Sequence, residues 1–577
     1  MSRRSRQHGA SVALRAVTLL GGFVGSSALG YAQTPITRMS VDAAGVQGFH
    51  ESEEPAISAD GRYVAFASLA KNLVPGDTNG RWDIFVKERA TGAIVRVSVS
   101  SAGVQTDFMS RTPSISADGR FVAFKSDATN LVTGDTNNHS DIFVHDRDPD
   151  GNGIFDEGNG TTERVSVDSN GNEADADCFE PSISGDGMLV AFTTSADNLV
   201  ANDNNNTWDV FVHDRASGTT VRVSVDSAGV EGNNSSSKAT FASDGSCVAF
   251  ESVATNFDPA DTDNYYDVFV HELASGTTEW VSKGFTPSKS SGFGPPGLSS
   301  DGSIVAFWSD SSYLVHGDTN GTYDIFVCDR ATGTMSLVSV DSAGVQGNSS
   351  SESPAISADG QIVTFRSAAD NLAPNDANPW YDIFWHDRTS GITSAISVDC
   401  AGFTADYLSD KTVLSGDGQV VAFMSWADDL VDGDTNGWPD IFARDLGVAE
   451  PQAYWTNYGS GYGGTYGIPA LTASADPEYD ASLTIDATNS LQSATAGFVL
   501  VGFAPASIPT HWGGTLLVDW FMILGVPLAP SGVSLPVTIP RDPDLCGASA
   551  YLQVVELDAG ATSGLSFTPG LQFAFGH

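Results

Sequence analysis

Short apolar runs recur along the chain in a fixed order, each closed by Gly, Asp or Asn. In the first cycle Pro55 to Ser58 is followed by an Ala-Asp-Gly turn and then by Tyr63 to Ser68. A long polar loop leads to Asp83, Ile84 to Lys87 follows, and a Thr91-Gly92 turn precedes Val95 to Val99. β-Branched and aromatic residues fill the runs, and turn-forming residues stand where the chain must reverse. Each cycle therefore predicts four strands, a to d. Strand b, Tyr63-Val64-Ala65-Phe66-Ala67, does not alternate. An apolar residue at every position suits a sheet covered on both faces by neighbouring sheets. No stretch of useful length shows helical periodicity.

The cycle repeats. The turn between strands a and b ends in Asp-Gly, with its Asp at 60, 118, 186, 244, 301, 359 and 417. The loop between strands b and c carries an Asp-x-(Asn/Asp)-x-x-x-Asp frame whose first residue is Asp77, Asp135, Asp203, Asp261, Asp318, Asp376 or Asp434. The spacing is about 58 residues throughout, with about ten more between Asp118 and Asp186, and a fixed period of this size marks a repeat architecture. Strand d recurs as Val95 to Val99, Glu163 to Val167 and Val221 to Val225, then more loosely at Thr278 to Ser282, Ser336 to Val340 and Ala395 to Val398. That makes six copies against seven of the other markers, because the last repeat stops at Asp440-Ile441-Phe442-Ala443-Arg444-Asp445. Ile36 to Asp42, ahead of the first repeat, supplies the seventh copy. A displaced first strand is what ring closure needs and what a linear solenoid does not. The expectation is an all-β chain: a seven-bladed β-propeller over residues 33–447, closed by an N-terminal strand. A Gly and aromatic linker, 448–466, follows. Apolar stretches separated by Pro and Gly then predict a small C-terminal β-sandwich over 467–577.

Acids outnumber bases 71 to 27, for a net charge of -44. Nucleic acid and anionic membrane surfaces would be repelled, whereas divalent cations would be attracted. Residues 1–32 read as a secretory signal: Arg3, Arg4, Arg6 and Arg15, an apolar stretch from Ala16 to Leu29, then Gly30-Tyr31-Ala32. The reading is an exported protein, secreted, periplasmic or cell-surface, without a transmembrane segment and monomeric. Cys178, Cys247, Cys328, Cys400 and Cys546 form no CxxC pair and read as small buried hydrophobes or free thiols.

Ser-x-Asp-Gly, then Val-Ala-Phe, Asp-Ile-Phe-Val-x-Asp-Arg, Thr-Gly and Arg-Val-Ser, in that order, resembles the TolB-like propeller repeat family. The resemblance covers all seven repeats and implies the propeller fold and export. Members of that family include docking platforms, peptidase propeller domains and lyases of acidic sugars, so it implies no single activity. One departure is the residue after the first Ser, commonly Pro in the family. It is Ala59, Ala117, Gly185, Ala358 or Gly416 here.

The recurring acids are the candidate chemistry. Asp77/Asn79/Asp83 stand at positions 1, 3 and 7 of their loop. The equivalent triads are Asp135/Asn137/Asp141, Asp203/Asn205/Asp209, Asp261/Asp263/Asp267, Asp318/Asn320/Asp324, Asp376/Asn378/Asp382 and Asp434/Asn436/Asp440. Alternating oxygens on a tight turn suit Ca2+, which takes six to eight oxygen ligands. The same side chains can instead lock the turn by bonding backbone N–H groups. The added residues of the second repeat, with Asp146, Asp148, Asp150, Asn152, Asp156 and Glu157, match the EF-hand loop pattern, in the turn between strands c and d. His145, His213, His271 and His386 share one strand c position with Lys87, Cys328 and Arg444, which favours a strand-face role over a ligand ring. There is no G-x-S-x-G and no H-E-x-x-H, so nucleophilic and zinc-hydrolase chemistry find no support.

In a propeller the b–c loops and d–a connections share one face. Being the longest segments of the repeat, they mark the binding surface. The leading expectation is a non-enzymatic scaffold that binds a protein or extracellular polymer there, with calcium stiffening its loops. The alternative is a polysaccharide lyase or hydrolase with its site at the channel mouth. Convergence of the irregular strand a residues Glu54, Arg111, Glu180, Lys238 and Lys411 in one pocket would mark the enzyme.

Overall fold

The computed structural model describes residues 36–285, 292–374, 376, 378–399, 402–431, 433–446, 454–477, 482–510, 514–539 and 549–574. The signal-like residues 1–32, Cys400, Cys546 and residues 448–453 lie outside these. Every named element among the described residues is a β-strand. The chain divides into two compact units: Pro35–Asp399 with Phe403–Gly447, and Val448–His577.

The first unit contains seven four-stranded antiparallel sheets among its described residues. Sheet 1 runs a to d as Ser52–Ile57, Tyr63–Ser68, Asp83–Glu88 and Ile94–Arg96. Sheets 2 to 6 repeat this order, with their a strands starting at Ser110, Cys178, Ser236, Phe293 and Ser351. Sheet 7 has only a, b and c of its own, Ser409–Leu414, Val420–Ser425 and Asp440–Asp445. Its fourth strand is Thr37–Arg38, which sets Thr37 opposite Ala443 and Arg38 opposite Phe442. The Met39 N–H extends the pairing to the Ile441 carbonyl at 2.6 Å. The sheets thus have the blade arrangement of a β-propeller.

Strand b shows why both of its faces are apolar. In sheet 1, Ala65 and Ala67 pack towards Val122, Phe124 and Phe143 of sheet 2, while Val64 and Phe66 pack towards Val420, Ala422 and Ile441 of sheet 7. Phe66 lies opposite Phe85 on strand c with ring centroids 6.0 Å apart, and the same pair recurs in every sheet. The first strand of each sheet touches that of the next, and strand a of sheet 7 touches that of sheet 1. The a strands therefore surround the axis.

Main-chain hydrogen bonds link the sheets at both ends of these inner strands. At the Asp-Gly turns, Ala59 N–H donates to the Ala117 carbonyl, Ala117 to Gly185, Gly185 to Ser243, Asp244 to Ser300, Ser300 to Ala358 and Ala358 to Gly416; Asp417 then donates back to Ala59, at 2.8–3.2 Å. This accounts for the missing proline: a Pro at Ala59 or Gly185 would have no N–H to give. Gly119 in the same turn has φ +79°, and a Cβ there would fall 2.3 Å from the Tyr63 ring of sheet 1. At the opposite end, Ser52 donates to Pro439, Ser110 to Trp82, Cys178 to Ser140, Ser236 to Trp208, Gly292 to Tyr266, Ser351 to Tyr323 and Ser409 to Tyr381.

In the second unit a six-stranded sheet and a three-stranded sheet share a core that includes Leu471, Leu483, Ile485, Val499, Leu552 and Phe573. One expectation needs correction: Tyr454–Tyr458, read as linker, is an edge strand paired with Gly570–Ala574. Its Trp455 packs against that core, and this outweighs the glycines that follow. The apolar stretches expected here include two long strands, Thr495–Pro509 and Thr515–Leu528.

Ser40 holds the closing strand. Its hydroxyl donates to Asp440 at 2.5 Å and accepts the Ile441 N–H at 3.1 Å, both buried. Ser40→Ala is expected to lower unfolding stability by about 1.5–3 kcal/mol, the range for a hydrogen bond to a charged group. Chemical denaturation monitored by tryptophan fluorescence measures this.

Candidate functional site

The seven b–c loops share one plan. The position 7 Asp, residues Asp83, Asp141, Asp209, Asp267, Asp324, Asp382 and Asp440, is fully buried at the start of strand c. One of its oxygens accepts the hydroxyl of the strand d serine: Ser98, Ser166, Ser224, Ser282, Ser339, Ser397 or Ser40, at 2.5–2.7 Å. The Ser of the Arg-Val-Ser motif is thus a clamp on strand c. At position 3, Asn79 accepts the Arg81 N–H and gives its amide to Asp83 at 2.8 Å. Asn137, Asn205, Asn378 and Asn436 donate likewise to Asp141, Asp209, Asp382 and Asp440. Asn320 caps the Thr322 N–H and donates to the Gly347 carbonyl.

The Arg of the same motif enters the loop from strand d. Arg96 lies 3.4 Å from Asp77 and 3.5 Å from Asp83. Arg164 pairs with Asp135, Asp141 and Glu173, and Arg222 with Asp203, Asp209 and Glu231. Arg38 pairs with Asp434 and Asp440. Sheets 5 and 6 lack this arginine. There Gln346 bridges Asp318 and Asp324 at 2.8 and 2.9 Å, and Thr404 donates to Asp376 at 3.2 Å. In these six loops N–H and O–H donors lie between the carboxylates, and Asp77 Oδ1, 3.4 Å from Arg96, is buried without a hydrogen bond.

Sheet 4 differs. Position 3 is Asp263, and Trp280 stands where sheets 1 to 3 have Arg. One carboxylate oxygen from each of Asp261, Asp263 and Asp267 lies within 4.8 Å of the others, a grouping unique among the described residues. Burial, opposed by hydrogen bonds from Ser282 and Trp280, pushes the Asp267 carboxyl up to about 8. Burial also lifts Asp261 to about 6.

The insertion lies between strands c and d of sheet 2, as expected. Its carboxylates accept hydrogen bonds: Asp146 takes both arms of Arg120, at 2.7 and 2.8 Å, and Asp156 pairs with Arg147. Asp148 accepts the Asn152 and Gly153 N–H groups, and Asn152 links Asp150 to Glu157. Asn152 thus draws Asp148, Asp150 and Glu157 together, while Asp146 and Asp156 are engaged by arginines.

The strand c histidines are buried, and each faces a threonine of strand d at 2.8–2.9 Å. Those threonines donate to the carbonyls of Val99, Val167, Val225 and Val340 in the preceding sheet's outgoing segment. Lys87 reaches the Val41 carbonyl directly at 3.1 Å, and Arg444 reaches that of Ile396 at 2.7 Å. The varied residue types share a task, tying one sheet to the one before it. Burial lowers His213, His271 and His386 below their ordinary 6.5.

The irregular strand a residues pair between sheets. Arg111 meets Glu53 and Glu54 of sheet 1 and covers Trp82 at 4.2 Å. Glu180 accepts the Lys238 N–H at 3.0 Å, and Lys238 pairs with Glu251. Arg366 joins Glu352 to Asp410, while Lys411 is exposed. Two surface depressions, of about 450 and 280 Å3, contain none of these residues.

Sequence reasoning passed over a set of exposed aromatics. Trp208, Tyr265, Tyr266, Trp380 and Trp438 come from b–c loops, and Phe49, Phe108, Phe285 and Tyr407 from d–a connections. Ser52, Ser68 and Asp83 are neighbours across sheet 1, so both kinds of segment leave from one end of the sheet. His50 stacks on Trp438 and Tyr407 packs against Trp380, each at 4.6 Å. The clue in the sequence was an aromatic beside most position 7 aspartates.

No family model and no curated protein matches the chain. Among solved structures it is similar to a candidate TolB from Agrobacterium tumefaciens, at 14% identity over 50% of this chain and 80% of that one, TM-score 0.31. It is also similar to a prolyl endopeptidase, at 9% identity over 82% of this chain and 59% of that one, TM-score 0.41. Prolyl oligopeptidase B from Galerina marginata matches at 10% identity over 78% of this chain and 57% of that one, TM-score 0.36.

Two outcomes follow from the geometry. Arg222→Met leaves Asp203, Asp209 and Glu231 without their counter-charge and is expected to cost about 3–5 kcal/mol by denaturant titration. Adding Asp203→Asn should return part of that. The histidines act in the acid direction: their folded values are depressed, so the unfolded chain binds more protons below 6.5. Their contribution is whole above that pH and is lost as the pH falls. Melting curves at pH 7 and 5 should show a smaller loss in the triple variant His213→Gln, His271→Gln, His386→Gln than in the parent.

Proposed function

We propose that the seven sheets are the blades of one closed propeller, that the second unit is a β-sandwich, and that the protein is an exported, monomeric, non-enzymatic scaffold. Its binding face is the end bearing the b–c loops and d–a connections, and its partner is an extracellular polymer or protein. The exposed aromatics recurring at that end carry the reading. Tyr265 is 63% exposed and Phe49 69% exposed, and both are set among carboxylates. Flat aromatic faces beside hydrogen-bonding oxygens suit the stacking and hydroxyl recognition of a neutral polysaccharide, and the acidic surroundings disfavour polyanions. The charged residues of the inner strands are engaged with one another, which supports a structural role for them. No helix among the described residues is long and apolar enough to cross a membrane.

The purified full chain should bind neutral polysaccharide on a glycan array and should not retain heparin or DNA. Replacing Trp208, Trp380 and Trp438 together by Ala should weaken that binding by about ten-fold or more, given about 0.5–1.5 kcal/mol for each aromatic contact beyond its area. The melting temperature should stay within a few degrees. Equal binding by the triple variant would remove this face from consideration.

A further inference from the structure

Sheet 4 breaks the loop plan at two places far apart in the sequence. Asp263 replaces the position 3 Asn of the other six loops, and Trp280 replaces the strand d Arg of sheets 1 to 3. Asp263 lacks the amide donor of the Asn, and Trp280 lacks the guanidinium and keeps a single indole N–H, which is given to Asp267 Oδ1. Among the described residues, the buried Asp261 Oδ1, Asp263 Oδ2 and Asp267 Oδ2 have no hydrogen-bond partner. Asp261 is 5% exposed and Asp267 0%.

The protein holds the other oxygens of Asp263 and Asp267. Asp267 Oδ1 accepts Trp280 Nε1 at 2.8 Å and Ser282 Oγ at 2.6 Å, and Asp263 Oδ1 accepts the Tyr265 N–H at 2.9 Å. One oxygen of Asp263 and one of Asp267 are thus fixed by the fold, and one oxygen of each of the three residues is left over. Unpaired carboxylates in such a place are costly unless a cation compensates them. Elsewhere in this chain that cation is a guanidinium, or an amide takes its place.

We infer that the loop between strands b and c of sheet 4 is a divalent-cation site, with Asp261, Asp263 and Asp267 as its anionic ligands and Ca2+ as its ion. The set offers only oxygen, which selects a hard cation over Zn2+ or Cu2+. Three carboxylates exceed the two charges of the ion, which favours tight retention. The metal occupies the role that arginine has in the loops of sheets 1, 2, 3 and 7, and this assignment is independent of the binding-face reading above.

The test uses the full chain, stripped with EDTA and titrated calorimetrically with CaCl2, with melting curves in both states. The parent should bind Ca2+ at this loop and melt several degrees higher with it. Asp263→Asn restores the residue found in the six other loops and should weaken Ca2+ binding by about ten-fold or more, as expected when a ligand charge is lost. Trp280→Arg should abolish the calcium-dependent melting shift while leaving the EDTA-treated protein as stable as the parent or more so. The second variant decides the matter if the first does not fold. Absence of Ca2+ binding at millimolar concentration, or binding and shift unchanged in the folded variants, overturns the assignment.

Discussion

Closure of the ring of sheets is the constraint from which the rest follows. No sheet of the first unit could hide its two apolar faces alone. Each needs a neighbour on both sides, and the last needs the first. The two main-chain hydrogen-bond circuits express the same demand in polar terms: buried N–H and C=O groups at the strand ends find partners only in the adjoining sheet. Hydrophobic burial supplies the drive, and these bonds, together with the positive φ of the Asp-Gly turns, set the angle between sheets.

Much of this was legible in the sequence because the repeat samples the same environment seven times. The uniformly apolar strand b meant covered faces, and Val64 and Ala65 do point to opposite neighbours. The six copies of strand d against seven of everything else pointed to Ile36 to Asp42, of which Thr37–Arg38 is strand and Ser40 is the clamp. What stayed hidden depended on groups distant in sequence. Arg96 and Asp77 sit in different motifs, and nothing in either one indicates that the guanidinium fills the loop. Tyr454–Tyr458 was masked by the glycines beside it, since local composition outweighed a core contact made more than a hundred residues away with the strand Gly570–Ala574.

The acidic loops show how one scaffold solves one problem by several chemistries. A carboxylate pair at positions 1 and 7 must find compensating donors wherever it is buried. Arginine does this in four sheets, glutamine in one and a threonine-asparagine pair in another. The strand c position behaves similarly: His through Thr, Lys and Arg all deliver a proton donor to the preceding sheet. Variation in residue type at a repeat position is therefore compatible with constancy of physical role.

Ser40 and Asp440 are 400 residues apart, yet they join the same sheet. Loop closure over so long a span is entropically demanding, and contacts of such separation form late. During synthesis the first segment must wait, unpaired, until the seventh repeat has been made. Once made, strand c of sheet 7 offers an open edge until Thr37–Arg38 docks, and a neighbouring chain could fill it, so the assembly pathway carries an exposure to strand exchange between molecules that the finished ring does not.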